Sequence, residues 1–134
     1  METRGIIADT GHLYAAIDID GQYHQRSRQE LKVINQQKLA ILVPYSIYLE
    51  THKLILQSLG ITAALRFTRD IEKQVNFINP TSEDYQAATS IITKFPEQKI
   101  TLFDAVTVVL ASQIKLPVWT YDYHFDIMKA DVWR

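Results

Sequence analysis

The chain contains no cysteine, which excludes a disulfide framework and a zinc site built from thiolates. Long apolar runs are also missing, since no stretch approaches the ~18 residues that a membrane span requires. No N-terminal leader is expected, because the opening letters METRG run directly into a strand-like segment that ends at Asp9. These absences predict a cytoplasmic protein that makes no use of a membrane.

The sequence also lacks a basic surplus. It has 14 Lys and Arg residues against 15 Asp and Glu residues, for a formal net charge of −1 at pH 7. Because nucleic-acid-binding proteins are often basic, a polyanionic substrate would have to be bound through local patches. Arg66 and Arg69 form one such basic edge on a predicted helix, although a solvated helix face is the simpler interpretation of this pair.

The signature motifs of several enzyme classes are absent. Only 4 glycines occur, and they form neither a GxGxxG motif nor a phosphate-binding loop. There is no GxSxG motif for acyl transfer. The histidines do not show the HExxH spacing of zinc peptidases.

The residues that are present predict a single globular α/β domain over residues 1–134. The composition is 47% hydrophobic, and short apolar runs alternate with amphipathic segments. Strands are predicted at 5–9, 39–43, 75–78 and 117–120, with a weaker fifth at 131–133. Helices are predicted over 10–17, 22–36, 44–58, 61–73, 81–95, 101–114 and 123–129. This alternation favours layered helices around a mostly parallel central sheet.

Three local signals mark the ends of these helices. Pro44 is expected in the first turn of the helix over 44–58, where its missing N–H costs nothing. Gly60 is expected to stop that helix. Thr81 or Ser82 is expected to cap the helix that follows, which carries acidic residues in its first turn.

Four acidic residues are candidates for a functional site: Asp9, Glu50, Asp104 and Asp122. Each also has a purely structural interpretation. Asp9 and Asp122 precede predicted helices and could cap them, and Glu50 could pair with Lys53 on an exposed helix face. The residues TLFD (101–104) resemble a capping box, although a buried ionised carboxylate in so apolar a helix is costly without compensation.

Taken together, the acids point to a cation. Ligands of open parallel sheets bind beyond the carboxyl ends of the strands, and three of the four acids fall on that side of the predicted sheet. Clustered carboxylates repel each other and their pKa values rise unless a cation joins them. A hard divalent cation would relieve the repulsion, and it could activate water for phosphodiester cleavage.

The order and spacing of four segments resemble the motifs of PIN-domain ribonucleases, in particular the VapC-type toxins of toxin–antitoxin pairs. The segments are IIADTGHLYAAID (6–18), VPYSIYLE (43–50), TLFDAVTVVLA (101–111) and VWTYDYHF (118–125). The last is the most specific, because it places a T-x-D-x-x-F pattern after a strand and about 18 residues beyond the aspartate of an apolar helix.

This resemblance implies a three-layer α/β/α sandwich with an acidic pocket that binds Mg²⁺ or Mn²⁺. The metal-site acids that carry over are Asp9, Glu50, Asp104 and Asp122, and the hydrogen-bonding supports are Thr10 and Thr120. The implied activity is metal-dependent hydrolysis of RNA, by a homodimer that a cognate antitoxin inhibits. Some members have a further aspartate where this chain has His124, so the number of metal ions stays open.

Two other functions are compatible with parts of the sequence. A PIN-fold nucleic-acid-binding or scaffold protein with weak or no catalysis fits the near-neutral charge and His124, but not the intact set of four acids. A phosphate-accepting receiver-like domain would need an acid pair at the end of the first strand, where this chain has Ala8 before Asp9.

Overall fold

The computed structural model describes residues 4–133. Within this range the strands are β1 (Gly5–Ala8), β2 (Ala40–Pro44), β3 (Asn76–Ile78), β4 (Val118–Trp119) and β5 (Val132–Trp133). The helices are α1 (Thr10–Ile17), α2 (His24–Gln36), α3 (Tyr45–Leu59), α4 (Ile61–Ile71), α5 (Ser82–Thr93), α6 (Leu102–Ile114) and α7 (His124–Ile127). The predicted alternation of strands and helices is confirmed.

All strand pairs of the described sheet are parallel, in the order β3-β2-β1-β4-β5. The first strand is therefore central, and β4 lies beside it although more than a hundred residues separate the two along the chain. In the register of this pair, Ile7 lies opposite Val118 and Ala8 lies opposite Trp119. Parallel pairing brings the carboxyl ends of β1 and β4 to the same edge of the sheet.

Helices cover both faces of the sheet, as the alternation of side chains along β1 shows. Ile6 and Ala8 pack into a core with residues of α1, α2, α3 and α4. Ile7, between them, packs into a second core with residues of α6 and with Phe125. All three β1 residues are fully buried, and burial of each isoleucine contributes about 1.5–3 kcal/mol. The chain is thus a three-layer α/β/α sandwich.

The predicted helix and strand boundaries need small corrections. Pro44 is the last residue of β2, with an extended ψ of 138°, so it precedes α3 and does not stand in its first turn. Gly60 ends α3 as predicted, and its φ of 97° is a conformation that other residues rarely adopt. The weakly predicted fifth strand is present as β5, whereas the last helix, α7, is shorter than predicted. None of the helices in the described part of the chain has the length and apolar character needed to cross a bilayer.

Candidate metal centre

The pairing of β1 with β4 brings Asp9 and Thr120 together. Each residue follows its strand, and the Asp9 amide donates to the carbonyl of Trp119 at 3.2 Å. The Thr120 hydroxyl donates to Asp9 Oδ2 at 2.9 Å, with both side chains buried. Asp9 occupies the N-cap position of α1 but makes no side-chain capping bond. The hydrogen bond from Thr120 therefore ties this carboxylate to the edge of the sheet.

Glu50 reaches the same region from α3. Thr10, the first residue of α1, donates its hydroxyl to Glu50 Oε1. The ion pairs of the described residues do not include a bond between Glu50 and Lys53. The simple interpretation of Glu50 as an exposed, lysine-paired residue is therefore not what the fold produces.

Asp104 and Asp122 lie in the same region as Asp9 and Glu50, and His124 lies beside them. Asp104 lies in the first turn of α6, where its backbone N–H donates to Thr101 Oγ1 at 3.1 Å. Asp122 follows β4, and its Oδ1 accepts the backbone N–H of His124 at 2.9 Å, a local turn contact at the start of α7. Potential ligand atoms of Asp104, Asp122 and His124 lie within 4.8 Å of one another. This spacing is small enough for one cation.

The four predicted acids line one open cleft of about 360 Å³. The other residues that line it are Thr10, Gly11, Tyr23, Thr101 and Tyr121. Within the described chain, the lining contains neither Lys nor Arg. The cleft therefore collects negative charge without a side chain of opposite charge in its walls.

Burial and mutual repulsion disfavour the charged forms of these acids. Burial raises the pKa of Asp104 to about 8, and the neighbouring carboxylates, Asp9 foremost, add to the rise. Burial also raises the pKa of Asp9 to about 6, although hydrogen bonds from Thr120 and from the backbone of Thr10 oppose it. The pKa of Glu50 is raised by burial as well. Without a cation, part of this negative charge is removed by protonation near neutral pH.

The fold brings some of the sequence-predicted residues together and leaves others apart. All four acids, with Thr10 and Thr120, lie in or beside the cleft. Arg66 and Arg69, predicted to contact substrate, lie on α4 outside the cleft lining, and Arg69 pairs with Asp70 at 3.6 Å.

Sequence reasoning missed two residues near the acids, Tyr23 and Tyr121, and it left the role of His124 open. The sequence signals for His124 are its position two residues after Asp122 and the aspartate that some PIN-domain proteins have there. Tyr121 lies inside the T-x-D motif, and Tyr23 has no motif at all, because it reaches the cleft from the start of α2.

The comparisons by sequence found no relative: no protein-family model matches the chain, and no curated protein matches it. Solved structures do match. VapC toxins superpose on nearly the whole chain, so the fold is that of the VapC toxins, and the fold expected from the motif resemblance is confirmed.

Three of the solved structures that match show the extent of the likeness. VapC20 of Mycobacterium tuberculosis, described as a toxin that cleaves the sarcin–ricin loop, superposes with a TM-score of 0.84 at 16% identity, over 97% of this chain and 99% of that one. VapBC2 of Rickettsia felis, solved with a fragment of its promoter DNA, gives 0.74 at 11% identity, over 95% of each chain. A toxin–antitoxin complex from Klebsiella pneumoniae gives 0.65 at 16% identity, over 89% and 88% of the two chains.

Proposed function

We propose that this protein is a metal-dependent endoribonuclease and the toxin of a toxin–antitoxin pair. The observation that carries the proposal is the cleft itself: four carboxylates from different parts of the chain line one surface that has no basic residue in its described lining. A fold that gathers negative charge in this way is less stable in its ionised form unless a cation joins the carboxylates.

The donor set fits Mg²⁺ or Mn²⁺. Carboxylate oxygens are the ligands that these ions prefer, with waters completing the shell. We assign Asp9, Glu50, Asp104 and Asp122 to the metal site, with His124 beside it. A bound cation would supply an activated water and stabilise charge on the phosphate.

The two threonines hold acids of the site in place. Thr120 donates to Asp9, and the same hydroxyl accepts the backbone N–H of Asp122 at 2.9 Å, so one side chain positions two acids. The Thr10 hydroxyl donates to Glu50 and so positions a third acid. Such partners orient ligands before the metal binds, and their removal lowers metal affinity.

Partners of this protein belong to the same proposal. The Klebsiella pneumoniae neighbour is described as a toxin–antitoxin complex, and we propose a cognate antitoxin and a homodimer here. Large apolar side chains on α3 and α4 supply surface for protein contacts, since Leu49, Ile61 and Leu65 are 62%, 66% and 64% exposed. Co-purification with the product of the neighbouring reading frame tests the antitoxin.

The central test combines metal binding with cleavage. Millimolar Mn²⁺ should raise the melting temperature, because a ligand that binds the folded state stabilises it by mass action. Ca²⁺ and ionic-strength series are the controls. A mixed RNA pool should be cleaved in Mn²⁺ and left intact in EDTA by protein purified free of host nucleases. A flat melting response together with an intact pool would favour the second candidate, a PIN-fold binding protein without catalysis.

A further inference from the structure

Glu30 of α2 anchors a polar network that includes Tyr121, a residue of the cleft lining. Its Oε1 accepts hydrogen bonds from Tyr121 Oη at 2.7 Å, from His12 Nε2 at 3.1 Å and from Trp119 Nε1 at 3.3 Å. Burial alone would raise the pKa of Glu30, but these hydrogen bonds outweigh it and hold the pKa below its usual value. The Tyr121 ring is therefore held in one orientation by a charged acceptor.

The Tyr121 ring is also the centre of an aromatic stack. It stacks on His12 with ring centroids 3.6 Å apart and on Tyr23 with centroids 4.6 Å apart, at interplanar angles of 28° and 18°. The Arg26 guanidinium lies 4.5 Å from its centroid. Tyr23 keeps 42% of its surface exposed. The Tyr23 ring is therefore supported by the Tyr121 ring, and its exposed surface is open to a ligand.

The stack stands beside the proposed metal site. Tyr23 and Tyr121 line the same cleft as Asp9, Glu50 and Asp104. Tyr121 also directly precedes Asp122 in the chain. A nucleotide whose phosphate lies at the acids therefore has its base within reach of these rings.

We propose that Tyr23, supported by Tyr121, is a stacking platform for a nucleobase of single-stranded RNA beside the bond that is hydrolysed. The proposal rests on the function proposed above. Stacking on an aromatic ring binds any base, because every base has a π-face. A chain with a net charge of −1 gains little affinity from a global positive field, so stacking must supply a larger share.

The test measures the stacking of each base of a bound RNA separately. A short single-stranded RNA carries a single 2-aminopurine, moved from position to position, because the fluorescence of this base is quenched when it stacks. Binding is measured in Ca²⁺ to slow hydrolysis, with RNA integrity checked on gels. The variants are Tyr23→Ala, Tyr23→Leu, which keeps apolar bulk without a π-face, and Tyr23→Phe. The control is Tyr85→Ala, which removes a tyrosine of α5 with 41% exposure outside the cleft lining.

We expect quenching at one position, retained in Tyr23→Phe and Tyr85→Ala and lost in Tyr23→Ala and Tyr23→Leu. RNA affinity should fall about tenfold in the latter two, with an unchanged dependence on salt, since no phosphate contact is removed. Equal binding and quenching in wild type and Tyr23→Leu overturns the platform while the ribonuclease proposal stands. Absence of any RNA binding by the wild type overturns both.

Discussion

Two helices of this protein begin with the same pattern, Thr-x-x-Asp, yet the two aspartates lie in opposite environments. At α5 the Asp84 carboxylate accepts the backbone N–H of Thr81 and the side-chain amide of Gln113, each at 2.8 Å. Thr81 in turn accepts the Asp84 N–H, which completes a capping box. At α6 the Asp104 N–H donates to the Thr101 side chain, but among the described bonds none runs from the Thr101 N–H to the Asp104 carboxylate, which lies among other acids.

The pKa values of the two aspartates move in opposite directions as a result. The backbone hydrogen bond from Thr81, followed by the one from Gln113, lowers the pKa of Asp84. Burial and neighbouring acids raise the pKa of Asp104 to about 8. An acid that is surrounded by donors serves the fold, whereas an acid that is surrounded by acids requires a proton or a cation. Glu30 belongs with Asp84 in this comparison, because donors surround it.

The largest expected effect is on RNA cleavage. If the proposed function holds, Asp104→Asn should lower cleavage by orders of magnitude, because the cation that would position water loses a ligand. Asp84→Asn, the matched change at the other helix start, should leave cleavage unchanged while lowering the melting temperature. Both variants are assayed on the same mixed RNA pool at equal folded concentration. Cleavage that persists in Asp104→Asn would remove the catalytic assignment.

A second effect concerns the stability that Glu30 provides. Glu30→Ala should lower the free energy of unfolding by about 3 kcal/mol, because three donors lose a charged acceptor and two of them, in His12 and Trp119, lie on buried side chains. Urea denaturation at neutral pH measures the loss. Glu97→Ala, at an exposed acid, is the control and should change little. An unchanged free energy of unfolding in Glu30→Ala would contradict the view that this carboxylate stabilises the fold.

The pH dependence of stability without metal sharpens the comparison. Asp9 and Asp104 have raised pKa values when folded, so the folded state holds protons that the unfolded state releases, and stability falls as pH rises. Burial lowers the pKa of His12 to about 4, which acts in the opposite sense below its unfolded pKa of about 6.5. From about pH 6.5 to about pH 8.5 the two acids together should cost about 2 kcal/mol of stability, and the loss of the last proton from the unfolded His12 offsets a few tenths of a kcal/mol of this, so the net loss should be about 1.5 kcal/mol.

Asp104→Asn should flatten this decline, and it should hold or raise the stability of the metal-free protein at about pH 8 by on the order of 1 kcal/mol. Stabilisation by Mn²⁺ should grow with pH in the wild type, because protons compete with the cation, and it should shrink in the variant. Thermal melts in chelator and in Mn²⁺ across the pH series measure both quantities. If the melting temperature of the wild type in chelator did not change with pH, the acids would not interact as their positions in the cleft indicate.

The smallest effect is expected from the basic residues outside the cleft. Replacing Arg66 and Arg69 together by Ala should weaken RNA binding several-fold and lower the slope of log affinity against log salt by about 1. The control replaces Lys94 and Lys99, which are also exposed. Titrations at several salt concentrations distinguish the two pairs. An identical slope in wild type and the arginine variant would place the phosphates elsewhere.

Much of the fold could be predicted because its signals are local. Apolar runs and amphipathic periods depend on neighbouring residues, so the order of strands and helices, the stop at Gly60 and the cap at Thr81 follow from the sequence. Boundaries such as Pro44 differ by a residue or two, because strand pairing extends an element as far as a partner strand allows. The four acids that share the cleft could also be picked out as candidates, since each stands where a strand ends or on a helix that the pattern places at the sheet.

The tertiary structure alone decided the environment of each acid. Asp84 and Asp104 have the same local pattern, and their environments differ because the Thr81 N–H and the Gln113 amide donate to Asp84, whereas the acids of three other segments surround Asp104. The bond from Thr120 to Asp9 joins residues 111 positions apart and exists because β4 lies beside β1. The same holds for the Glu30 network, and for Tyr23 and His124 at the cleft. Sequence patterns determine local hydrogen bonds, whereas the burial and charge that set a carboxylate's protonation come from residues that only folding brings near.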